Sequence, residues 1–333
     1  MKTNNYFISL DLFRGFCGYG VALSHFFAFV YSNSYSEYIS LIFVEFFFVL
    51  SGFVLYPQLL KLINNKKNLF IFYKRRWMRT LPLYLVTLIL VSILTGQLLE
   101  LDFLKYLFLI QKTIPNFVEN DYFPVAWSLS IEEFFYLFFP LILITMSKNN
   151  FIRKVLYFFI FLVFSKFFIS NYFDANFYRT GTFLRFDAII LGFIIAHYQV
   201  FIIKNKKIIL SLLIILTPLY LLNFNFFVDG SNIPYIKFLF IIFMQLLSVV
   251  VMLSFVLLEP IILNNYLKKF SLFISQQTYS IYLFHMIFIY IFKELNYSVL
   301  TSTISYLIIL FFVSTLVYRY FEAPIIEIRP KIL

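Results

Sequence analysis

The sequence predicts an all-α fold: a polytopic membrane helix bundle of about ten transmembrane helices, with both termini cytoplasmic. Three observations predict it. Of the 333 residues, 62% are hydrophobic and the mean hydropathy is +0.88, more apolar surface than a water-soluble core can use. Apolar runs long enough to cross a bilayer recur from end to end. The basic residues gather in alternate loops. The net charge of +11 therefore reads as loop charge on a membrane protein and not as a nucleic-acid surface.

The first span, 6–31, carries Arg14 and is not followed by a small-residue cleavage site, so it reads as a retained helix. The second, 38–60, ends at Lys61, Lys66 and Lys67. The third, 79–97, starts within the basic stretch "FYKRRWMRTLPLY". An apolar piece at 101–111 is too short to span and reads as an interfacial or re-entrant helix in an outer loop. The fourth, 125–146, holds "AWSLSIEEFFYLFFP". The fifth, 154–171, and the sixth, 181–202, flank a loop with one cation, Arg179. The seventh, 208–225, follows Lys204, Lys206 and Lys207. The eighth, 235–258, and the ninth, 271–292, are separated by Lys268 and Lys269. The tenth, 298–320, ends at Arg319.

With the N-terminus inside, nineteen basic residues fall in inner segments, among them Lys2, Lys148 and the seven from Lys61 to Arg79. The outer loops hold five: Lys105, Lys112, Arg179, Lys237 and Lys293. That asymmetry sets the orientation. No polar stretch is long enough for a second domain, so residues 1–333 read as a single membrane domain. One cysteine, Cys17, excludes an internal disulfide framework. Three histidines on three helices argue against a metal. No repeat and no pair of Gly/Pro-broken helices marks a secondary transporter.

A few ionisable residues remain inside the spans. Each costs about 2.5–3.5 kcal/mol on insertion scales, and such residues face the bundle interior. Arg14 and His25 are eleven residues apart, which places them on one helix face about 16 Å apart. Gly18 falls between them and reads as a groove. Asp11, one turn earlier, can pair with Arg14. His25, Glu45, Glu132 and His285 all lie six or seven residues below the outer ends of their spans. Two histidines and two carboxylates in one layer form an acid–base set if the helices converge. Core hydrogen bonding for His285 and helix pairing for Glu45 are equally compatible with those positions. Glu133 points about 100° away from Glu132.

The inner side is basic. Arg76 and Arg79 share a face as i,i+3 neighbours, and paired guanidinium groups suit phosphate oxygens. A helix N-terminus there would add partial positive charge. Arg185 and Asp187, two residues apart, do not face each other, so each needs a partner elsewhere. Glu322 is placed to neutralise the arginines. His197 reads as interfacial, and Lys166 and Trp77 as snorkelling or belt residues.

These residues together resemble the acyltransferase-3 family of integral membrane acyltransferases. The first-helix signature, an arginine, ten residues and a histidine, is Arg14 and His25 after "LDLFRG". "FFVLSGF" stands at 47–53, and Arg76, Arg79 and Pro82 form the R-x-x-R-then-Pro pattern. "WSLSIEEFFYLFFP" carries Glu132, and "FLRFDAIILG", "YSIYLFH" and "FEAP" follow in order. The resemblance covers residues 9 to 325, and Glu45 stands where the family often has an aspartate. A C-terminal hydrolase-like domain found in some members has no counterpart here, which suggests a stand-alone form.

The resemblance implies transfer of an acyl group, usually acetyl from acetyl-CoA, to a hydroxyl of a surface glycan or lipid-linked sugar in the bacterial inner (plasma) membrane. It places acyl-CoA on the cytosolic side at Arg76 and Arg79, with the arm passing Gly18 and the thioester arriving near His25. His25 would act with Arg14, Glu45 and Glu132, either as a general base or by carrying the acyl group. Trp127, Ser130, Arg185 and His285 are the expected substrate-side contacts. Neither a metal nor nucleic acid is expected. The competing reading from another class is a glycan transporter or flippase that uses the same charges as a substrate path.

Overall fold

The structure, a computed structural model, describes residues 6–146, 150–295 and 297–331. Lys2 and Lys148, counted above with the inner basic residues, lie outside them. Among the described residues, ten helices have 17 residues or more. These are α1 (Ile8–Val30), α2 (Ser34–Asn64), α3 (Asn68–Leu94), α4 (Ala126–Ile144), α5 (Phe151–Ile169), α6 (Phe186–Lys204), α7 (Lys206–Leu222), α8 (Pro234–Leu257), α9 (Asn265–Lys293) and α10 (Val299–Val317). Each overlaps one of the expected spans. Local chemistry starts several of them: Asn33 Oδ1 accepts the Ser36 amide at α2, and Ser298 Oγ accepts the Thr301 amide at α10. Both satisfy donors that the first turn leaves free.

Two starts differ from expectation. α3 begins at Asn68 and α9 at Asn265, where the sequence reading placed 79 and 271. Charge marks where hydropathy stops, but Lys and Arg are good helix formers, so the helix runs on through the basic stretch. Arg76 therefore sits two turns inside α3, and no helix N-terminus adds to its charge. Six segments are long and apolar enough to cross a membrane: α2, α3, α4, Thr182–Lys204 around α6, α8, and Val299–Glu327 from α10 onward. The other four are shorter or more polar. Phe161, Phe164, Ile214 and Phe312 on α5, α7 and α10 are more than half exposed. An outer surface of that character is a lipid-facing one, and the protein is a membrane protein.

Two helix pairs frame the interior. α1 lies against α9, and α2 against α6. At the second pair the backbones nearly touch. A Cβ on Gly52 would lie 1.8 Å from the Ile189 carbonyl oxygen, and one on Gly192 would lie 2.0 Å from that of Val49. Only glycine permits that approach. At the far end of α2, Tyr38 and Tyr220 stack at 4.5 Å and donate to each other's carbonyls at 2.9 and 2.7 Å, which ties α2 to α7.

The 101–111 segment contains a short helix, Leu101–Leu107, with Leu101 exposed and Tyr106 fully buried. It folds back onto the bundle, since the Tyr106 carbonyl accepts the Tyr84 hydroxyl at 2.7 Å.

Candidate active site

α1, α2, α3, α4 and α9 line a partly open cavity. Its polar lining comes from Arg14, Ser51, Arg76, Arg79, Thr80, Ser128, Glu132, Tyr136, Thr278, Tyr279 and Tyr282. Arg76 donates to Gln58 at 2.7 Å and lies 5.3 Å over the Tyr136 ring. Among the described residues neither Arg76 nor Arg79 has a carboxylate within ion-pair distance, whereas Arg14 pairs with Asp11 at 3.2 Å. Ser275 completes that clamp, donating to Asp11 at 2.8 Å. Unpaired guanidinium groups at a cavity wall suit an anionic ligand.

Midway along, Glu132 accepts from Ser51 at 2.6 Å and from Tyr136 at 2.8 Å. Glu133 turns the other way and accepts from Thr80 at 2.5 Å. Ser128 and Tyr282 are joined by a 2.5 Å hydrogen bond, and Tyr282 also donates to the Val125 carbonyl at 2.8 Å.

Directly behind Tyr282 lies the histidine pair. His285 Nδ1 is 2.6 Å from the Tyr282 carbonyl oxygen, and His285 Nε2 is 3.0 Å from His25 Nδ1. The rings stack with centroids 5.2 Å apart. A carbonyl oxygen only accepts, so His285 Nδ1 carries a proton. In the neutral ring its Nε2 is then a lone pair, and His25 Nδ1 must supply the hydrogen. That leaves the lone pair of His25 on Nε2, which has no hydrogen-bond partner among the described residues. A histidine in that tautomer can take up a proton or attack a carbonyl carbon.

The four residues expected in one layer are therefore divided. His25 and His285 meet, and Glu132 lines the cavity. Glu45 instead forms a fully buried pair with Arg185. The Arg185 guanidinium also donates to the Arg179 carbonyl at 3.2 Å. Beside it, Lys166 pairs with Asp187 at 2.6 Å, and Gln245 donates to the same carboxylate oxygen at 2.8 Å. Two cations and two anions close a neutral cluster, the usual way to hold charge in a low-dielectric core. This corrects the snorkelling assignment of Lys166, which is 3% exposed. Arg185 and Asp187 do have separate partners.

Other expected contacts also fall elsewhere. Gly18 does not line the cavity. A Cβ there would lie 2.9 Å from Thr278 Cγ2, so Gly18 allows α1 and α9 to pack. Ser130 is spent on the Leu109 carbonyl and on Thr182 at 2.9 Å. Trp127 is buried edge-on to Phe48 and carries the Arg179 guanidinium on its face at 5.2 Å. Glu322, in a π-helical turn over Tyr318–Glu322, accepts from Ser280 and, among the described residues, makes no ion pair with an arginine. His197 contacts Tyr56 at 2.6 Å. Ser51, Ser128, Tyr136 and Tyr282 were missed. Tyr136 alone had a sequence signal, four residues after Glu132 on the same helix face.

A bundle of apolar helices around a polar cavity, with a histidine pair held behind the Tyr282 wall, defines a membrane protein with a candidate active site inside the bundle. The comparisons name the class. The acyltransferase-3 profile, described as an acyltransferase domain, matches residues 7–319. A Haemophilus influenzae protein with no functional name is 30% identical over 229 residues, covering 57% of this chain and 92% of its own. Staphylococcus aureus proteins of strains COL and N315, which carry the provisional name O-acetyltransferase, are 28% identical over 322 residues. That match covers 84% of this chain, and the chain spans about half, 52%, of their length. No solved structure matches. The chain belongs to the acyltransferase-3 family.

Proposed function

We propose that the protein transfers an acyl group, acetyl, from acetyl-CoA to a hydroxyl of a cell-surface glycan or lipid-linked sugar. Two observations support this reading most directly: Arg76 and Arg79 line the cavity with no carboxylate partner among the described residues, and Tyr282, on the same wall, holds through its carbonyl the His285 ring that fixes the free nitrogen of His25. The loop preceding α3 is the most basic part of the chain, which assigns that end to the cytoplasm. All ten long helices then cross the bacterial plasma membrane and both termini are cytoplasmic. Arg76 and Arg79 hold the phosphates of the donor. Ser51, Thr278 and Tyr282 line the route onward, in place of Gly18.

At the far end, His25 Nε2 takes the proton of the acceptor hydroxyl as its oxygen attacks the thioester carbonyl. The carbon–sulfur bond breaks, and the thiolate leaves and is protonated. A variant in which Nε2 attacks first and carries the acyl group uses the same lone pair. Glu132, held by two hydroxyl donors, polarises the cavity midway along, and Arg14, about 16 Å from His25 on the same helix, belongs to the donor end.

The test is acetyl transfer by purified protein in liposomes, followed as CoA release and as acetate on the glycan. Release of CoA that depends on added glycan is expected. Glycan movement across the liposome without thioester consumption would favour the flippase.

A further inference from the structure

A second cavity, with about 1060 Å³ of empty space, opens at the other end of the bundle. It lies between the first turns of α2, the short helix Ala175–Thr180 and the start of α8. Glu37 lines it, whereas Gln58, on the same helix, holds Arg76. Twenty-one residues of helix separate those two side chains, about 31 Å, but the cavities themselves come close along α2: Leu41 lines this one and Val44, three residues on, lines the first.

The charges inside the bundle sort into two groups. Arg14, Lys166 and Arg185 each have a carboxylate partner. Arg76, Arg79 and Arg179 have none among the described residues. The first two line the donor cavity, and Arg179 lines this second one. Its guanidinium makes no side-chain hydrogen bond within the described residues, yet its position is held: it sits over the Trp127 ring at 5.2 Å, and its own carbonyl accepts from Arg185. A guanidinium with five donors and no side-chain partner among the described residues suits an anion.

The rest of the lining narrows the ligand. Lys237, whose ammonium donates to the Phe173 carbonyl at 2.6 Å, adds a second cation, and Glu37 supplies one carboxylate. The wall is thus net positive by one charge. Tyr38, Tyr178 and Phe240 make its wall aromatic, and Asn176 and Ser231 add hydrogen-bonding side chains. That mixture suits a sugar ring carrying one oxyanion. Trp127, beneath Arg179, is adjacent in sequence to Ser128, which bonds Tyr282, the residue whose carbonyl orients His285.

We propose that this cavity binds the acceptor through Arg179, and that the acceptor is an anionic sugar unit bearing a carboxylate or phosphate. The proposal rests on the acyl-transfer reading for its meaning, but its test does not. Saturation-transfer NMR on the full chain in nanodiscs would use glucuronate, glucose 1-phosphate and glucose as probes. Both charged sugars should receive saturation and glucose should not. A response to only one of them assigns the anion as carboxylate or phosphate. Saturating acetyl-CoA should leave the glucuronate signal in place, because the donor occupies the other cavity. Arg179→Gln should reduce the glucuronate signal about tenfold, and Glu37→Gln should raise it. Acetyl-CoA affinity checks that each variant is folded. Equal signals from glucose and glucuronate, or a glucuronate signal that survives Arg179→Gln, would overturn the proposal. Displacement of glucuronate by acetyl-CoA would do the same. Failure of acetyl transfer would instead overturn the donor reading and leave this result standing.

Discussion

His25 and His285 face each other across the α1–α9 seam, nitrogen to nitrogen at 3.0 Å, with the second ring anchored by the Tyr282 carbonyl. The direction of hydrogen bonding along this chain decides which nitrogen of His25 is basic. His285 then acts as a positioning residue, in the role that a carboxylate plays beside other catalytic histidines. His285→Gln keeps an acceptor at the reach of Nε2, whereas His285→Phe keeps only the ring shape. The glutamine variant should retain most of kcat. The phenylalanine variant should lose about 10²-fold, the lower range for mispositioned acid–base catalysis. Nitrogen NMR of labelled histidine should show His25 with the proton on Nδ1 in the wild type. Equal activity of the two variants would leave His285 with a packing role only.

The donor mouth gives the second prediction. Arg76→Ala with Arg79→Ala should weaken acetyl-CoA binding by about 10- to 100-fold, because a hydrogen bond to a charged group is worth about 1.5–3 kcal/mol. Lysines at both positions should recover only part of it, since a point charge does not reproduce bidentate contacts. Calorimetry with acetyl-CoA and with CoA measures both. Unchanged affinity in the double alanine variant would take these residues out of the site.

The α2–α6 contact gives the third. Gly52→Ala would push a methyl group into the Ile189 carbonyl oxygen, 1.8 Å from where its Cβ must sit. The backbones must separate, at a cost of about 1–3 kcal/mol. The detergent-solubilised variant should melt several degrees lower than the wild type, and Gly192→Ala should behave alike. A wild-type melting temperature would show that the two backbones do not meet.

The fourth concerns pH and the loop beyond α3. Burial alone would raise the Asp102 carboxyl. The Lys105 ammonium at 2.8 Å and the amides of Asn120 and Glu119 outweigh it and hold the carboxyl below its ordinary range. A depressed folded value means that the carboxylate stabilises the loop above the unfolded pKa of about 3.9. The contribution is lost as pH falls through the folded value. Amide protection at Glu119 and Asn120 should therefore hold near neutrality and drop progressively below about pH 4. Asp102→Asn should remove that pH dependence. A protection profile identical in the variant would contradict the assignment.

The ten long helices, the cavity's charged residues and one member of the histidine pair could be read from the sequence, because hydropathy marks apolar runs and the cost of intramembrane charge marks Arg14, Glu132, Arg76, Arg79 and His25. What could not be read is which charge meets which. Depth along a helix places His25, Glu45, Glu132 and His285 in one layer, but rotation about the axis decides partners. Glu45 faces α6 and pairs with Arg185, while His25 faces α9 and pairs with His285. Gly18 failed as a groove for the same reason: a missing side chain leaves space only if no neighbour fills it, and Thr278 does. Lys166 looked like a surface cation because its partner, Asp187, lies on another helix.

The most direct test is acetyl transfer to the native glycan by reconstituted His25→Gln protein. The substitution keeps size and polarity but offers no lone pair that is basic near neutral pH. The account predicts unaltered membrane insertion, near-normal acetyl-CoA affinity set by Arg76 and Arg79, and a loss of transfer of at least about 10²-fold, the minimum expected for a general base. Transfer near the wild-type rate would contradict it, and would reduce the His25–His285 contact to a clamp between two helices.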